Sequence, residues 1–355
     1  MWKSMNYASN RMDEMIEMTI ENYGEDNDIS KREFIEHEYF QNPSGDAFIK
    51  LAYDEENAKL AGQYIVIPMN MHIEGKEYPV ILSLNTLTRK EYRGQKIFTS
   101  LAEEVYAECT QKGYRFCYGA PNPNSHHNFV SRMGFRDIGI MPLYLKVIHP
   151  SLLAEQKFRM NVMAVLAKPF DLLVKKKKIQ NEYEVVLVEE DNIDSFDEFW
   201  TRIKTKYPVM GVRNAKFMKW RYLRMPERQY RIYAIYNKSR MQGYIIGRIT
   251  EVAGIKCGMV VDFLVAGGNE KAAEALLMKI QGEFYRQGVG LMGCLMQKSV
   301  EEAGWLKKEG FFICPKFMEP QPFPIIYKEL NRREHNEVFE DFRNWFFTMG
   351  DYDVI

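Results

Sequence analysis

The chain has little of what would mark a redox, metal or membrane protein. Its five cysteines (Cys109, Cys117, Cys257, Cys294 and Cys314) are odd in number and scattered, which is not the pattern of a disulfide framework. Cys117 and Cys294 lie inside apolar runs, as buried reduced thiols do. No Cys or His spacing resembles a zinc site, so no metal is expected. No stretch approaches the ~18 apolar residues of a membrane-spanning helix, and the opening MWKSMNYASNRMDEM lacks the apolar core of a signal peptide. The expectation is a soluble cytoplasmic protein. Net charge is missing too, because 48 Lys and Arg balance 48 Asp and Glu. Without a global field, neither nucleic acid nor a membrane is expected as a partner.

What is present is apolar mass. At 355 residues, 46% hydrophobic and 14% aromatic, the chain is long for one core and suits two domains. The most informative stretch is Leu84 to Thr110, LNTLTRKEYRGQKIFTSLAEEVYAECT. Before it, Val80, Ile81 and Leu82 form an apolar run short enough for a buried strand. After it, Ile97, Leu101, Val105 and Cys109, with Phe98, Ala102 and Tyr106, fall on one helical stripe. Arg93-Gly94-Gln95-Lys96 sits between. A glycine-bearing turn that opens a helix presents unpaired N–H groups and the positive end of the helix dipole, which suits an anion such as phosphate.

The rest of the first half reads in order. Residues 8 to 23 form a helix, and Ser30-Lys31-Arg32-Glu33 has the form of a capping box opening a second one with Phe34, Ile35 and Tyr39. Strands follow at Ala47 to Tyr53 and Gln63 to Met71, with Glu74-Gly75-Lys76 as a turn. Beyond the opening stretch come a strand (Tyr114 to Tyr118), an Asn- and Pro-rich loop (Ala120 to Ser125), a short helix to Met133, and a strand over Ile138 to Val147. An apolar helix (Leu152 to Leu166) and the run Lys175 to Lys178 then mark a linker.

The second half repeats the first in outline. Gly243 to Ile249 parallels Gly62 to Ile67, and Val260 to Val265 parallels Val80 to Leu84. A helix over Glu270 to Arg286 follows, and Glu309-Gly310-Phe311 parallels Met133-Gly134-Phe135. The interval Gly243 to Gly288 is shorter than Gly62 to Gly113. Where the first half has Arg89 to Lys96, the second has Ala266-Gly267-Gly268-Asn269 with no basic residue. This is the pattern of a duplicated domain in which one copy has lost its anion turn. Glu329 to Met349 reads as an amphipathic helix with Val338, Phe339, Phe342, Trp345 and Phe346 on one side. Docked, it would carry the acidic tail Gly350 to Ile355 toward a cleft. The expected domains are therefore 1–149, a linker 150–180, 181–328, and a C-terminal helix and tail 329–355.

Thr88 to Phe98, TRKEYRGQKIF, resembles the signature of the GNAT acyltransferases, whose core is Q/R-x-x-G-x-G/A. The element order over roughly residues 8 to 147 is similar as well, and the second half resembles the same fold with the motif lost. The resemblance implies an α+β protein of two tandem GNAT-like domains, each a mixed, mostly antiparallel sheet flanked by helices. It departs from the signature at Lys96, in the middle glycine position, and at Phe98, in the final Gly/Ala position. By position, Thr86, Leu87 and Thr88 would pair with the pantetheine arm of acetyl-CoA or another acyl-CoA, or polarise its thioester. The amides of Arg93, Gly94, Gln95, Lys96, Ile97, Phe98 and Thr99 would hold the pyrophosphate. Asn122 or Asn124 would lie near the cofactor.

Chemistry also needs a base, since an alkylammonium has a pKa near ~10.4, and an acid for the departing thiolate. The family's common tyrosine position holds Val130, so Tyr118, His126, His127 and Asp351 are the candidates, with the C-terminal carboxylate beside them. The implied reaction is transfer of acetyl from acetyl-CoA to a primary amine of a small molecule, for example an amino sugar. A homodimer is compatible with the sequence. Two other readings stand beside this one: a non-catalytic acyl-CoA-binding or interaction module, and an aminoacyl-tRNA-dependent transferase of the related tandem type.

Overall fold

A computed structural model describes residues 1–158, 182–252, 254–331 and 337–352. The chain forms two compact units. One comprises Met1–Gly139, Arg224–Arg228 and Pro324–Glu340, and the other Ile140–Leu223, Gln229–Phe323 and Asp341–Ile355.

The first half begins with β1 (Trp2–Asn6), which the sequence pattern did not announce, then α1 (Met12–Tyr23) and α2 (Arg32–Phe40). The expected capping box does not form. Asn27 caps a short 3-10 turn over Asp28–Ser30, the chain turns extended at Lys31, and Lys31 leads α2 with no side-chain cap. Next come β2 (Phe48–Asp54), β3 (Lys59–Ile73) and β4 (Lys76–Thr88), an antiparallel meander turned at Glu74–Gly75. Then follow α3 (Ile97–Gln111), β5 (Phe116–Gly119), α4 (Pro123–Met133) and β6 (Arg136–Ile140).

The helical stripe seen in the sequence is the buried face of α3. Ile97, Leu101, Ala102, Val105, Tyr106 and Cys109 pack with Ala61, Tyr64 and Val66 of β3 and with Phe129, Met133 and Phe135. Each large side chain buried this way contributes about 1.5–3 kcal/mol. Gly62 allows the close fit, because a Cβ there would stand 2.8 Å from Ile97 Cγ2 and 3.0 Å from the Leu87 carbonyl.

The second half contains β7 (Leu143–Val147), α5 (Pro150–Phe158), β8 (Glu184–Leu187), α6 (Ser195–Ile203), β9 (Val209–Gly211) and α7 (Ala215–Met218). A π-helical turn (Lys219–Leu223), β10 (Tyr230–Asn237), β11 (Arg240–Val252), β12 (Ile255–Val265) and α8 (Glu270–Arg286) follow. It ends with β13 (Leu291–Leu295), α9 (Glu301–Lys308), β14 (Phe312–Ile313), β15 (Pro324–Glu329) and β16 (Trp345–Phe346). Most of the expected helix over Leu152 to Leu166, and the lysine run Lys175 to Lys178, lie outside the described residues.

Two further expectations are overturned. The strand read over Ile138 to Val147 is two strands in two sheets, separated by Met141 and Pro142. The order in the first sheet is β1-β2-β3-β4-β5-β15-β6, and in the second β14-β7-β13-β12-β11-β10-β8. So β15 lies beside β5, with Tyr327 opposite Tyr118, and β7 lies beside β13, with Leu145 opposite Gly293. Each sheet takes this strand from the other half of the sequence. Nor does Glu329 to Met349 form a helix. Glu329 ends β15, 332–336 lie outside the described residues, and the remainder is short 3-10 turns around Phe339 and Phe342 followed by β16. Tertiary partners override the helical spacing. Phe339 packs with its ring tilted against Phe116 at 4.9 Å and Tyr327 at 6.4 Å, while Trp345 and Phe346 pair with β9.

Candidate functional site

In the first unit β4 and β5 run parallel but pair only at Ile81–Cys117 and Leu82–Tyr118. Beyond Leu82, β4 continues to Thr88 bonded to β3 alone. A backbone irregularity opens its edge. The register shifts opposite Gln63–Ile65, and Asn85 takes a left-handed φ of 47°. Asn85 is held there because Gln63 Nε2 donates to its carbonyl at 2.9 Å and its own Nδ2 donates to Tyr39 Oη at 2.8 Å. Ser83 to Thr86 and Thr88 are half-buried and Leu87 is buried.

The chain then enters the turn, which is anchored from below. Buried Arg89 pairs with Glu21 and, at 3.7 Å, with Glu17 of α1. The Arg89 N–H donates to the Ala61 carbonyl at 3.0 Å. Tyr92 Oη donates to Asp54 Oδ2 at 2.7 Å, and Lys59 pairs with Glu91 at 2.7 Å. Hydrogen bonds from Asn57 and Tyr92 hold the Asp54 carboxyl well below the usual carboxylate range. Arg93, Gly94, Gln95 and Lys96 are exposed above this anchor. The side chains of Arg93 and Lys96 have no partner among the described residues.

Lys96 is the N-cap of α3 and adopts the left-handed conformation, φ 63° and ψ 13°, with no side-chain cap. Glycine takes that conformation without cost, whereas for other residues it costs about 1–2 kcal/mol. Lys96 therefore keeps the glycine-like backbone path. Ser100 is the first residue of the helix whose N–H finds a backbone acceptor, the Lys96 carbonyl at 3.0 Å. The N–H groups of Ile97, Phe98 and Thr99, like those of any helix start, have no intrahelical acceptor. The Thr99 hydroxyl turns back to the Lys96 carbonyl at 2.9 Å. The Phe98 ring packs edge-on against Tyr64 at 5.6 Å and Phe129 at 5.2 Å, so its bulk serves the core and leaves its N–H at the turn.

The remaining candidates are placed as follows. Asn122 caps α4, its Oδ1 accepting from the Asn124 and Ser125 N–H groups at 3.0 Å each, and Asn124 is exposed. Tyr118 is fully buried on β5. His126 is half-buried with Nε2 2.7 Å from Asp137 Oδ1, and His127 is exposed with Nδ1 3.1 Å from Ser131 Oγ. The two rings thus take different partners, and only His126 has an orienting carboxylate. Asp351 lies in the second unit, buried and bonded to Arg213. Residues 353–355, with the C-terminal carboxylate, lie outside the described residues.

Sequence reasoning missed a hydroxyl cluster beneath the strand gap. Tyr64 Oη bonds Tyr106 Oη and lies 3.2 Å from Ser83 Oγ, and Cys117 Sγ lies 3.9 Å from Tyr106 Oη. Burial pushes the Cys117 thiol up to about 12, so it is an inert thiol. The available signal was a set of hydroxyls placed at core positions of otherwise apolar runs.

Residues 5–138 match the Acetyltransferase (GNAT) domain family. No curated protein matches the chain in sequence. Solved structures do resemble it. A GCN5-related N-acetyltransferase from Anabaena variabilis superposes with a TM-score of 0.66 at 14% identity, covering 93% of this chain and 73% of that one. Saccharomyces cerevisiae N-myristoyltransferase with bound myristoyl-CoA gives 0.62 at 11% identity, over 92% and 82%. A tandem GNAT protein from the clavulanic acid biosynthesis pathway gives 0.59 at 10% identity, over 93% and 99%. At these identities the likeness concerns the fold. Residues 5–138 therefore belong to the GNAT superfamily, and the chain as a whole has the tandem GNAT fold.

Proposed function

We propose that the protein is an N-acyltransferase that takes an acyl group from acyl-CoA, most simply acetyl from acetyl-CoA, and transfers it to a primary amine of a small molecule. One observation carries this reading. In the first unit a strand edge, Ser83 to Thr88, and, beyond the anchored turn, an uncapped helix start flanked by the side chains of Arg93 and Lys96 have no partners among the described residues. A strand edge suits the amides of a pantetheine arm, and the helix start suits a pyrophosphate. The backbone at Thr86 to Thr88 would polarise the thioester carbonyl. The amine attacks that carbonyl directly, its proton passes to a base, and coenzyme A leaves as the thiol. His126, oriented by Asp137, is the first base candidate to substitute. The bound myristoyl-CoA of the yeast neighbour supports an acyl-CoA as co-substrate.

The test is thermal melting with acetyl-CoA, because a ligand bound only by the native state raises the melting temperature. No shift at a saturating concentration would sink the reading. A shift without thiol release on a panel of amines favours the binding-module reading, which the lysine at position 96 also suits.

A further inference from the structure

The second unit has a strand gap of its own. β12 and β13 pair in parallel from Cys257–Leu291 to Val260–Cys294, and β12 then runs on to Val265. Groups at parting strands need other partners, and in this unit the C-terminal segment supplies them.

On the β13 side, Met296 pairs antiparallel with Thr348, and Gln297 Nε2 donates to the Phe342 carbonyl at 2.8 Å. On the β12 side, Gly350 lies against Asp262. A Cβ at Gly350 would stand 2.0 Å from Tyr222 Oη and 3.3 Å from Asp262 Oδ2, so only glycine fits. Arg213, 1% exposed, ties the segment to the strand. Its Nε donates to Asp262 Oδ2 at 3.0 Å and its Nη2 to Asp351 Oδ2 at 2.6 Å. Arg221 donates to the Gly350 carbonyl at 3.2 Å and the Tyr352 carbonyl at 2.9 Å. A capping box between Thr348 and Asp351 closes the turn. Trp345, Phe346, Phe347 and Tyr352 are all buried.

We propose that residues 345–352 are a built-in occupant of the second gap, standing where an extended ligand stands in the first, so that the chain binds one acyl-CoA and not two. The coenzyme reading of the first unit supplies what the gap would otherwise hold, and the inference rests on it to that extent. The gap is matched to its occupant. Arg213 meets an acidic side chain, Gly350 fills a slot too narrow for a Cβ, and the aromatic residues close it.

Hydrogen exchange and native mass spectrometry on the full chain, with and without acetyl-CoA, test this. The amides of 345–352 should exchange at least ~100-fold more slowly than in a synthetic peptide of the same sequence, unchanged by acetyl-CoA, with one coenzyme bound per chain. Gly350→Val should lose that protection while the amides of α3 keep theirs. Asp351→Asn keeps the shape and loses the charge facing Arg213; it serves if Gly350→Val does not fold, and should lower protection about 10-fold. Peptide-like exchange of 345–352 in the wild type, a second bound coenzyme, or full protection in both variants would overturn the inference. No bound coenzyme with a protected segment would remove the coenzyme reading of the first unit, leaving the plug to be judged by exchange.

Discussion

Both units part a pair of parallel strands and follow the longer one with a helix, but they finish that helix differently. In the second unit Asn269 caps α8, its Oδ1 accepting from the Ala272 N–H at 3.2 Å, and the neighbouring strand gap is covered by the chain's own end. In the first unit Lys96 leads α3 without a side-chain cap, and β4 beyond Leu82 has no partner on its β5 side among the described residues. A helix that caps itself has no need of an external anion. An uncapped one, led by a left-handed lysine and preceded by an unpaired strand edge, keeps donors that a ligand can satisfy. The duplicated pieces are alike. Their difference lies in whether the chain satisfies its own backbone groups.

The largest expected effect lies on the closed side. Arg213→Ala would leave Asp262 and Asp351 buried without their cation. Burial pushes the Asp262 carboxyl up, Arg213 pulls it down and Asp351 pushes it up again, with a net upward direction. The guanidinium, which burial alone would lower, is held above its ordinary value by both acids. Two acids thus share one fixed positive charge, and removing it should cost about 3–5 kcal/mol in denaturant unfolding. A loss under about 1 kcal/mol would show that the segment is held by packing alone.

Next is the open side. Acetyl-CoA at ~100 times its Kd should stabilise the wild type by about 2.7 kcal/mol. Arg93→Glu should abolish this while changing the ligand-free stability by no more than about 0.5 kcal/mol. A preserved thermal shift would move the anion site elsewhere.

Exchanging the helix starts sharpens the comparison further. Asn269→Ala should cost about 1 kcal/mol. Lys96→Gly should change stability by less, since relief of the left-handed backbone, about 1–2 kcal/mol, is offset by the entropy of glycine, about 0.5–1 kcal/mol. Melting of the two variants side by side reads both, and a large loss in Lys96→Gly would mean that the lysine side chain is structural.

The smallest effect concerns the anchor of the open turn. Asp54 has a lowered folded-state pKa, so its contribution is present above the unfolded value of ~3.9 and is lost as the pH falls from there through the folded value. Asp54→Asn should flatten the acid limb of a urea-midpoint profile below about pH 4, and an unchanged limb would remove Asp54 as the anchor.

Much of the first unit was legible because its signals are local. The apolar stripe of α3 is the buried face, the turn stands between β4 and that helix as its residues implied, and Gly134 closes α4 in a left-handed conformation. Asn122 was read for its chemistry and is engaged as a helix cap, a role that its position before Pro123 also signals. The failures were of another kind. Val338, Phe339, Phe342, Trp345 and Phe346 have helical spacing, yet Phe339 packs on Phe116 and Tyr327, Phe342 on Phe347, and Trp345 and Phe346 pair with β9. The 138–147 stretch was continuous in apolar character but is divided between two sheets.

The sequence by itself determined the pieces and one asymmetry between them: a basic turn before one helix, and a turn without a basic residue before the other. These depend on residues a few positions apart, whose spacing and backbone preferences act wherever the segment lies. Only the tertiary structure decided that β15 and β7 complete the sheets of the opposite halves and that residues 345–352 fill the second gap. Strand edges and gaps are satisfied by any backbone of the right shape that reaches them, so the partner is chosen by packing across the whole chain and leaves no short-range pattern to read.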